Sequence, residues 1–210
     1  MLLHCLRLAG FVALLWVVPA LAQSTPAAAP AWVAALRDGG YVIVLRHGAT
    51  YADQADTNPL DPKDTAHQRQ LNDAGRAAAK SMGDALRTLK IPIGKVQTSQ
   101  FQRAVETGTL LGFGEVSSTA DIAEGGLVVT PNENNRRTAA LRTLAGTPPA
   151  AGTNIILVSH KPNIVDAFGK DWFDVREGEA SIFRPDGKGG FAAVARVQVA
   201  EWARLAQVAP

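Results

Sequence analysis

The sequence predicts a three-layer α/β sandwich, with a mostly parallel central sheet, helices on both faces and a C-terminal β-hairpin. Three observations predict it. Short apolar runs such as "YVIVLR" and "NIILVSH" have the length and composition of buried strands. They alternate with longer segments whose apolar residues recur at helical spacing, which implies parallel strands joined by helical crossovers. Near the end, "EASIFRPDGKGGFAAVARVQV" sets two strand-like arms around "DGKGG", the composition of a hairpin turn. With 47% apolar and 19% charged residues among 210, the chain can bury one sizeable core, and wholesale disorder is excluded.

The elements follow in order. Residues 1–22 read as a signal peptide: Arg7, the apolar run Leu8 to Val18, then small residues at Ala20 and Ala22 where a signal peptidase reads. The run is short for a bilayer-spanning helix, so cleavage after Ala22 is expected, with no stable membrane anchor and a periplasmic or secreted location. Cleavage would also remove Cys5, the one cysteine, leaving neither a disulfide nor thiol catalysis. Residues 23–31 form a flexible leader, and residues 32–210 a single domain. "AWVAALRDGG" predicts a short helix stopped by Gly39-Gly40. The first strand is Tyr41 to Arg46, followed by a long polar loop over 51–70 that can cover a site. "LNDAGRAAAKSMGDALRTL" is a helix, "KVQTS" (95–99) a strand, "FQRAVETGTLLGF" a helix and "VSSTADI" a third short strand. "NENNRRTAALRTL" is a helix begun after Pro131, "NIILVSH" (154–160) a strand, and "KPNIVDAF" a helical segment behind it.

Ligands of parallel sheets sit at the carboxyl ends of the strands. Arg46 and His47 end the first strand and Ser99 the second, Glu124 follows the third, and His160 ends the last parallel strand. These polar groups fall at one edge. A net charge of +2 and the lack of a basic stretch with interleaved aromatics argue against a nucleic-acid partner. No metal or cofactor motif is visible, so side-chain cations are expected to do any electrostatic work.

Three motifs stand in order: "LRHGAT" (45–50), "TSQFQRAVETG" (98–108) and "VSH" (158–160). With them the chain resembles the histidine phosphatase superfamily, its phosphoglycerate-mutase-like branch, from about residue 41 to about residue 165. The resemblance implies that His47 is a nucleophile forming a phosphohistidine, and that a glutamate shortly after the third strand donates the proton.

The residue types fit that chemistry. A phosphoryl group carries close to two negative charges, and its transfer needs cations around the equatorial oxygens, an in-line nucleophile and a proton for the departing oxygen. Arg46 and Arg103 offer planar forks for phosphate oxygens, and His160 a further donor. Nearby arginines favour the neutral, nucleophilic form of His47. Gly48 lets the backbone turn so that one ring nitrogen bonds a carbonyl. Thr50 and Ser99 are hydroxyl donors that can touch a phosphate oxygen or cap a turn. Glu106, one helical turn after Arg103, can orient it. Glu124 is preferred over Glu133 as proton donor, because an acid in the first turn of a helix has a structural reason to be there. Lys161 and Asn163 depart from the small residues many relatives carry after the histidine, which leaves the substrate subpocket open. The loop 51–70 and the segment Gly125 to Arg137, with Arg136, are expected to shape that pocket. The reading is an exported, metal-independent phosphatase acting on a small-molecule or envelope phosphomonoester. A catalytically silent binder of phosphorylated envelope ligands is the alternative, followed by a phosphomutase.

Overall fold

A computed structural model describes residues 29–125 and 128–208. The expected signal sequence, residues 1–22, lies outside the described residues. Helix α1 (Ala31–Arg37) runs into Gly39 and Gly40, both at positive φ. At Gly39 even a methyl would stand 2.5 Å from the Thr153 nitrogen, so glycine is required for the turn into the sheet.

Six strands form one sheet: β1 (Val42–Arg46), β2 (Ile93–Ser99), β3 (Val116–Thr119), β4 (Asn154–Ser159), β5 (Ala180–Pro185) and β6 (Phe191–Val197). Their order is β3-β2-β4-β1-β5-β6. The first four are mutually parallel, β5 adds antiparallel to β1, and β6 pairs antiparallel with β5 to complete the expected hairpin. Register pairs Leu45 with Val158 and Arg46 with Ser159, so β1 and β4 end side by side.

The apolar runs of β1 and β4 are continuous because both faces are covered. Ile43 and Leu45 point into a core with Ile156 and Val158, packed by α1, α2 (Asp73–Thr88), α3 (Gln102–Leu110) and α6 (Val199–Val208). Val42, Val44 and Leu157 point the other way, against α4 (Pro131–Ala145) and α5 (Lys161–Phe168). The C-terminal α6 was not anticipated, because the chain past the hairpin offers only a short amphipathic stretch. Its Trp202 is fully buried and meets Trp32 edge-on at 5.6 Å, closing the sheet's far corner. The third strand is also shorter than expected: it stops at Thr119 and gives way to a 3-10 turn over Ala120–Ile122. Among the described residues no helix is long and apolar enough to cross a membrane.

The first turn of α2 is capped by Asn72, whose side chain accepts from the Gly75 amide at 2.8 Å. Gly75 then abuts the turn that follows β1: a Cβ there would lie 2.2 Å from the Ala49 carbonyl oxygen. Conversely, a Cβ on Gly48 would approach the Gly75 oxygen to 3.0 Å. The glycine of the first motif is therefore explained by close contact with α2 rather than by a left-handed turn, since Gly48 is not among the positive-φ residues.

This contact yields a test. Alanine ordinarily favours a helix over glycine by about 1 kcal/mol. Gly75→Ala should nonetheless destabilise the fold by about 1–3 kcal/mol, because backbone must move. A lowered denaturant midpoint at unchanged slope checks it; a raised midpoint would refute the contact.

Candidate active site

The carboxyl ends of β1, β2 and β4 converge on two histidines whose ring centroids are 5.2 Å apart, those of His47 and His160. His47 is buried, and its amide donates to Ser159 O at 3.1 Å across the β1–β4 pair. Its Nδ1 lies 2.8 Å from Gly48 O. A carbonyl only accepts, so Nδ1 carries the proton and Nε2 presents a lone pair. The turn itself is held from α3: Thr107 Oγ1 accepts from the Gly48 amide at 3.0 Å and donates to Arg103 O at 2.6 Å.

Arg103 has no solvent exposure. Its Nη1 donates to Asp56 Oδ1 at 2.9 Å and its Nη2 donates to Glu124 Oε2. The guanidinium lies 4.5 Å over the Phe101 ring. Arg46 donates from Nη1 to Val175 O at 2.8 Å, and its Nη2 stands 3.5 Å from Glu177 Oε1.

His160 is buried with Nε2 2.7 Å from Ser99 Oγ. Ser99 Oγ also accepts from the Phe101 amide at 3.1 Å; with a carboxylate oxygen facing His160 Nδ1, the favoured tautomer has the Ser99 hydroxyl donate to Nε2. The His160 proton then sits on Nδ1, 3.4 Å from Glu124 Oε2.

Burial, followed by the charge of Arg103, holds both imidazoles well below the usual histidine pKa. Both rings are neutral near pH 7. Burial also lowers the Arg46 pKa, against the opposing charge of Glu177, without removing its charge at neutral pH. Three buried donors in this cluster have no hydrogen-bond partner: Arg46 Nε, Arg103 Nε and His160 Nδ1. Such groups are costly unless a ligand completes them. Two guanidiniums, a neutral imidazole N–H and an imidazole lone pair make a set suited to a tetrahedral oxyanion. Among the described residues, no group of three or more His, Cys, Asp or Glu side chains is arranged to hold a metal ion.

A family model described as the histidine phosphatase superfamily (branch 1) matches residues 42–127, the stretch that carries His47, Arg103 and Glu124. Over residues 42–127 the chain carries the pattern of the histidine phosphatase superfamily. Its activity class is accordingly that of a histidine phosphatase. The fold is shared with solved structures at low identity. The protein histidine phosphatase SixA, complexed with tungstate, aligns at TM-score 0.55 and 19% identity over 76% of this chain and 97% of that one. A phosphoserine phosphatase from Entamoeba histolytica, complexed with phosphoserine, aligns at 0.52 and 13%, over 76% and 97%. A mycobacterial glucosyl-3-phosphoglycerate phosphatase aligns at 0.53 and 15%, over 75% and 98%. No curated protein matches the sequence.

Of the residues the sequence singled out in this histidine phosphatase, the structure gathers His47, Arg46, Arg103, Glu124 and His160 at one edge. Two hydroxyls do other work. Ser99 is committed to His160 and the Phe101 amide, behind the site. Thr50 donates to Glu177 Oε1 at 3.1 Å, tying it to the carboxylate beside Arg46. The sequence leaves both open between reaching a phosphate oxygen and bonding within the protein; here each braces a residue that faces the cluster. Glu106 does not orient Arg103, because its carboxylate is taken by Arg76 Nε at 2.7 Å. Lys161 lies over the ring of Phe173 at 4.9 Å. Glu133 accepts from Arg136 and Arg137 at 2.8 Å, which lowers its pKa to about 2. An acid that strong holds no proton at neutral pH.

Sequence reasoning missed Asp56, Glu177 and Arg69. The Arg69 amide donates to Asp56 Oδ1 at 2.9 Å, and its charge is felt by both histidines and Arg46. All three lie in irregular segments where no periodicity marks a residue.

The depressed histidines make stability depend on pH with a defined sign. Below about pH 6.5 the unfolded chain takes up protons that the folded rings refuse, so the stability present above 6.5 is lost on acidification. Each histidine contributes a slope of up to about 1.4 kcal/mol per pH unit. The melting temperature should fall between about pH 6.5 and 5, and less steeply in His160→Gln. An equal slope in the variant would contradict the assignment.

Proposed function

We propose that this phosphatase hydrolyses a phosphomonoester through a phosphohistidine on His47. The observation that carries the reading is the set of unpartnered buried donors on Arg46, Arg103 and His160 around the lone pair of His47. Those donors would take the equatorial oxygens of the phosphoryl group, and they suit the charge that develops there in the transition state.

Nε2 of His47 attacks phosphorus while the P–O bond to the leaving alcohol breaks. Nδ1–H, bonded to Gly48 O, keeps its proton and shares the positive charge of the phosphorylated ring. Glu124, in its acid form, gives its proton to the departing oxygen. The resulting carboxylate then takes a proton from water, whose oxygen attacks phosphorus as the P–N bond breaks. Phosphate leaves and His47 returns to its neutral state. Of the two glutamates considered, Glu124 is supported as the acid by its position, its carboxylate standing beside Arg103 and His160 at the edge that carries His47, whereas the Glu133 carboxylate is taken up by Arg136 and Arg137. That position also weighs against a catalytically silent binder.

The leaving group would extend towards a small cavity of ≈ 80 Å³ walled by Pro59, Leu60, Phe101, Ala123, Val129 and Arg137. The substrate is proposed to be a small-molecule or envelope phosphomonoester. The N-terminal sequence of residues 1–22 supports export to the periplasm or beyond as part of the same proposal.

Phosphate release measured in EDTA tests the mechanism. His47→Ala should lower kcat by about 1,000-fold or more. Glu124→Gln should lower kcat on an alkyl phosphate by about 100-fold. Activity surviving in His47→Ala would contradict the covalent role.

A further inference from the structure

Glu124 reaches the site on a stretch with no regular structure. The strand β3 stops at Thr119, the 3-10 turn ends at Ile122, and Ala123 to Gly125 belong to neither helix nor ladder. The aim of such a side chain depends on whatever satisfies and fixes the backbone around it.

Here four hydrogen bonds from other elements do so. Ser159 Oγ donates to Ile122 O at 2.9 Å. Asn163 Nδ2 donates to Ala123 O at 2.7 Å, while Asn163 Oδ1 accepts from the Gly125 amide at 3.0 Å. Arg137 Nη1 donates to Glu124 O at 2.6 Å. One carboxamide therefore grips the chain on either side of Glu124. Asn163 is 1% exposed and stands in the first turn of α5, three residues after His160. The same rigid strand-to-helix junction thus carries the imidazole and the clamp on the acid.

We propose that Asn163 is a positioning residue of this phosphatase, one that fixes Glu124 relative to His160 and so governs protonation of the leaving group. The inference rests on Glu124 being the proton donor. Chemistry favours it over simple filling of space. A buried amide is costly unless both ends are bonded, and an apolar side chain would fill the volume more favourably. Asparagine donates and accepts from one short, rigid plane; glutamine, which does the same, is a methylene too long for a packed site. The segment has little slack: a Cβ on Gly125 would meet Asn134 Oδ1 at 2.0 Å.

The test is the dependence of rate on the leaving group. An aryl phosphate needs little acid assistance and an alkyl phosphate needs much, so misplacing the acid penalises the alkyl ester selectively. Asn163→Asp preserves shape and one bond but sets a carboxylate oxygen against Ala123 O. It should lower kcat on an alkyl phosphate by about 10- to 100-fold. The 4-nitrophenyl phosphate rate and competitive inhibition by inorganic phosphate should change far less. Equal losses on both esters, a loss seen only in KM, or no loss at all would overturn the proposal. Should Asn163→Asp fail to fold, Arg137→Met removes the hold on Glu124 O from the rim of α4 and is expected to show the same selectivity. Equal or absent losses there would overturn the proposal likewise. Glu124→Gln separates the two readings. If it lacks leaving-group dependence, the proton-donor reading falls and this inference with it; if it shows that dependence while the Asn163 variant does not, only this inference falls.

Discussion

The burial of the Arg103 guanidinium is the constraint on which the rest of the site depends. Stripping water from a guanidinium costs several kcal/mol unless partners replace it. Asp56 and Glu124 are those partners, and they come from distant parts of the chain. Satisfying Arg103 draws the loop 51–70 over the start of α3, where Gln68 Oε1 also accepts the Gln102 amide at 2.7 Å. It brings Glu124 beside His160 as well. Its charge, with burial, keeps both imidazoles neutral. One buried cation thus organises the loop, the acid and the nucleophile together.

Rigid and irregular backbone divide the work. His47 and His160 stand at the ends of adjacent parallel strands, fixed by the register that pairs Arg46 with Ser159. Ladder geometry sets their spacing. Asp56 and Glu124 lie outside the sheet, so side-chain hydrogen bonds must hold them. The site therefore joins a rigid mount for the nucleophile to carboxylates positioned by buried polar contacts, and such contacts hold firm only when fully satisfied.

What was legible in the sequence followed from local rules. Continuous apolar runs in β1 and β4 reveal strands covered on both faces, and their ends reveal Arg46, His47 and His160. The "DGKGG" turn reveals the hairpin. Long-range partnerships left no local mark. Asp56 meets Arg103 across 47 residues and Thr50 meets Glu177 across 127, and no spacing rule spans such separations. Ser99 and Thr50 stay open in the sequence for the same reason: a hydroxyl at a strand end can face a ligand or turn back to brace a neighbour, and only the fold decides. Asn163 stood out in the sequence merely as an unusual residue after His160, its meaning hidden until Ala123 and Gly125 were seen on its carboxamide.

The most direct test of the central claim is to quench the enzyme during turnover of 4-nitrophenyl phosphate and locate any covalently bound phosphoryl group by mass spectrometry under alkaline conditions. The account predicts an acid-labile, alkali-stable phosphoryl group on His47, attached at Nε2 and discharged once substrate is exhausted. Turnover through a phosphoryl group on another residue, or turnover that leaves His47 unlabelled when hydrolysis is slowed enough to trap an intermediate, would contradict it.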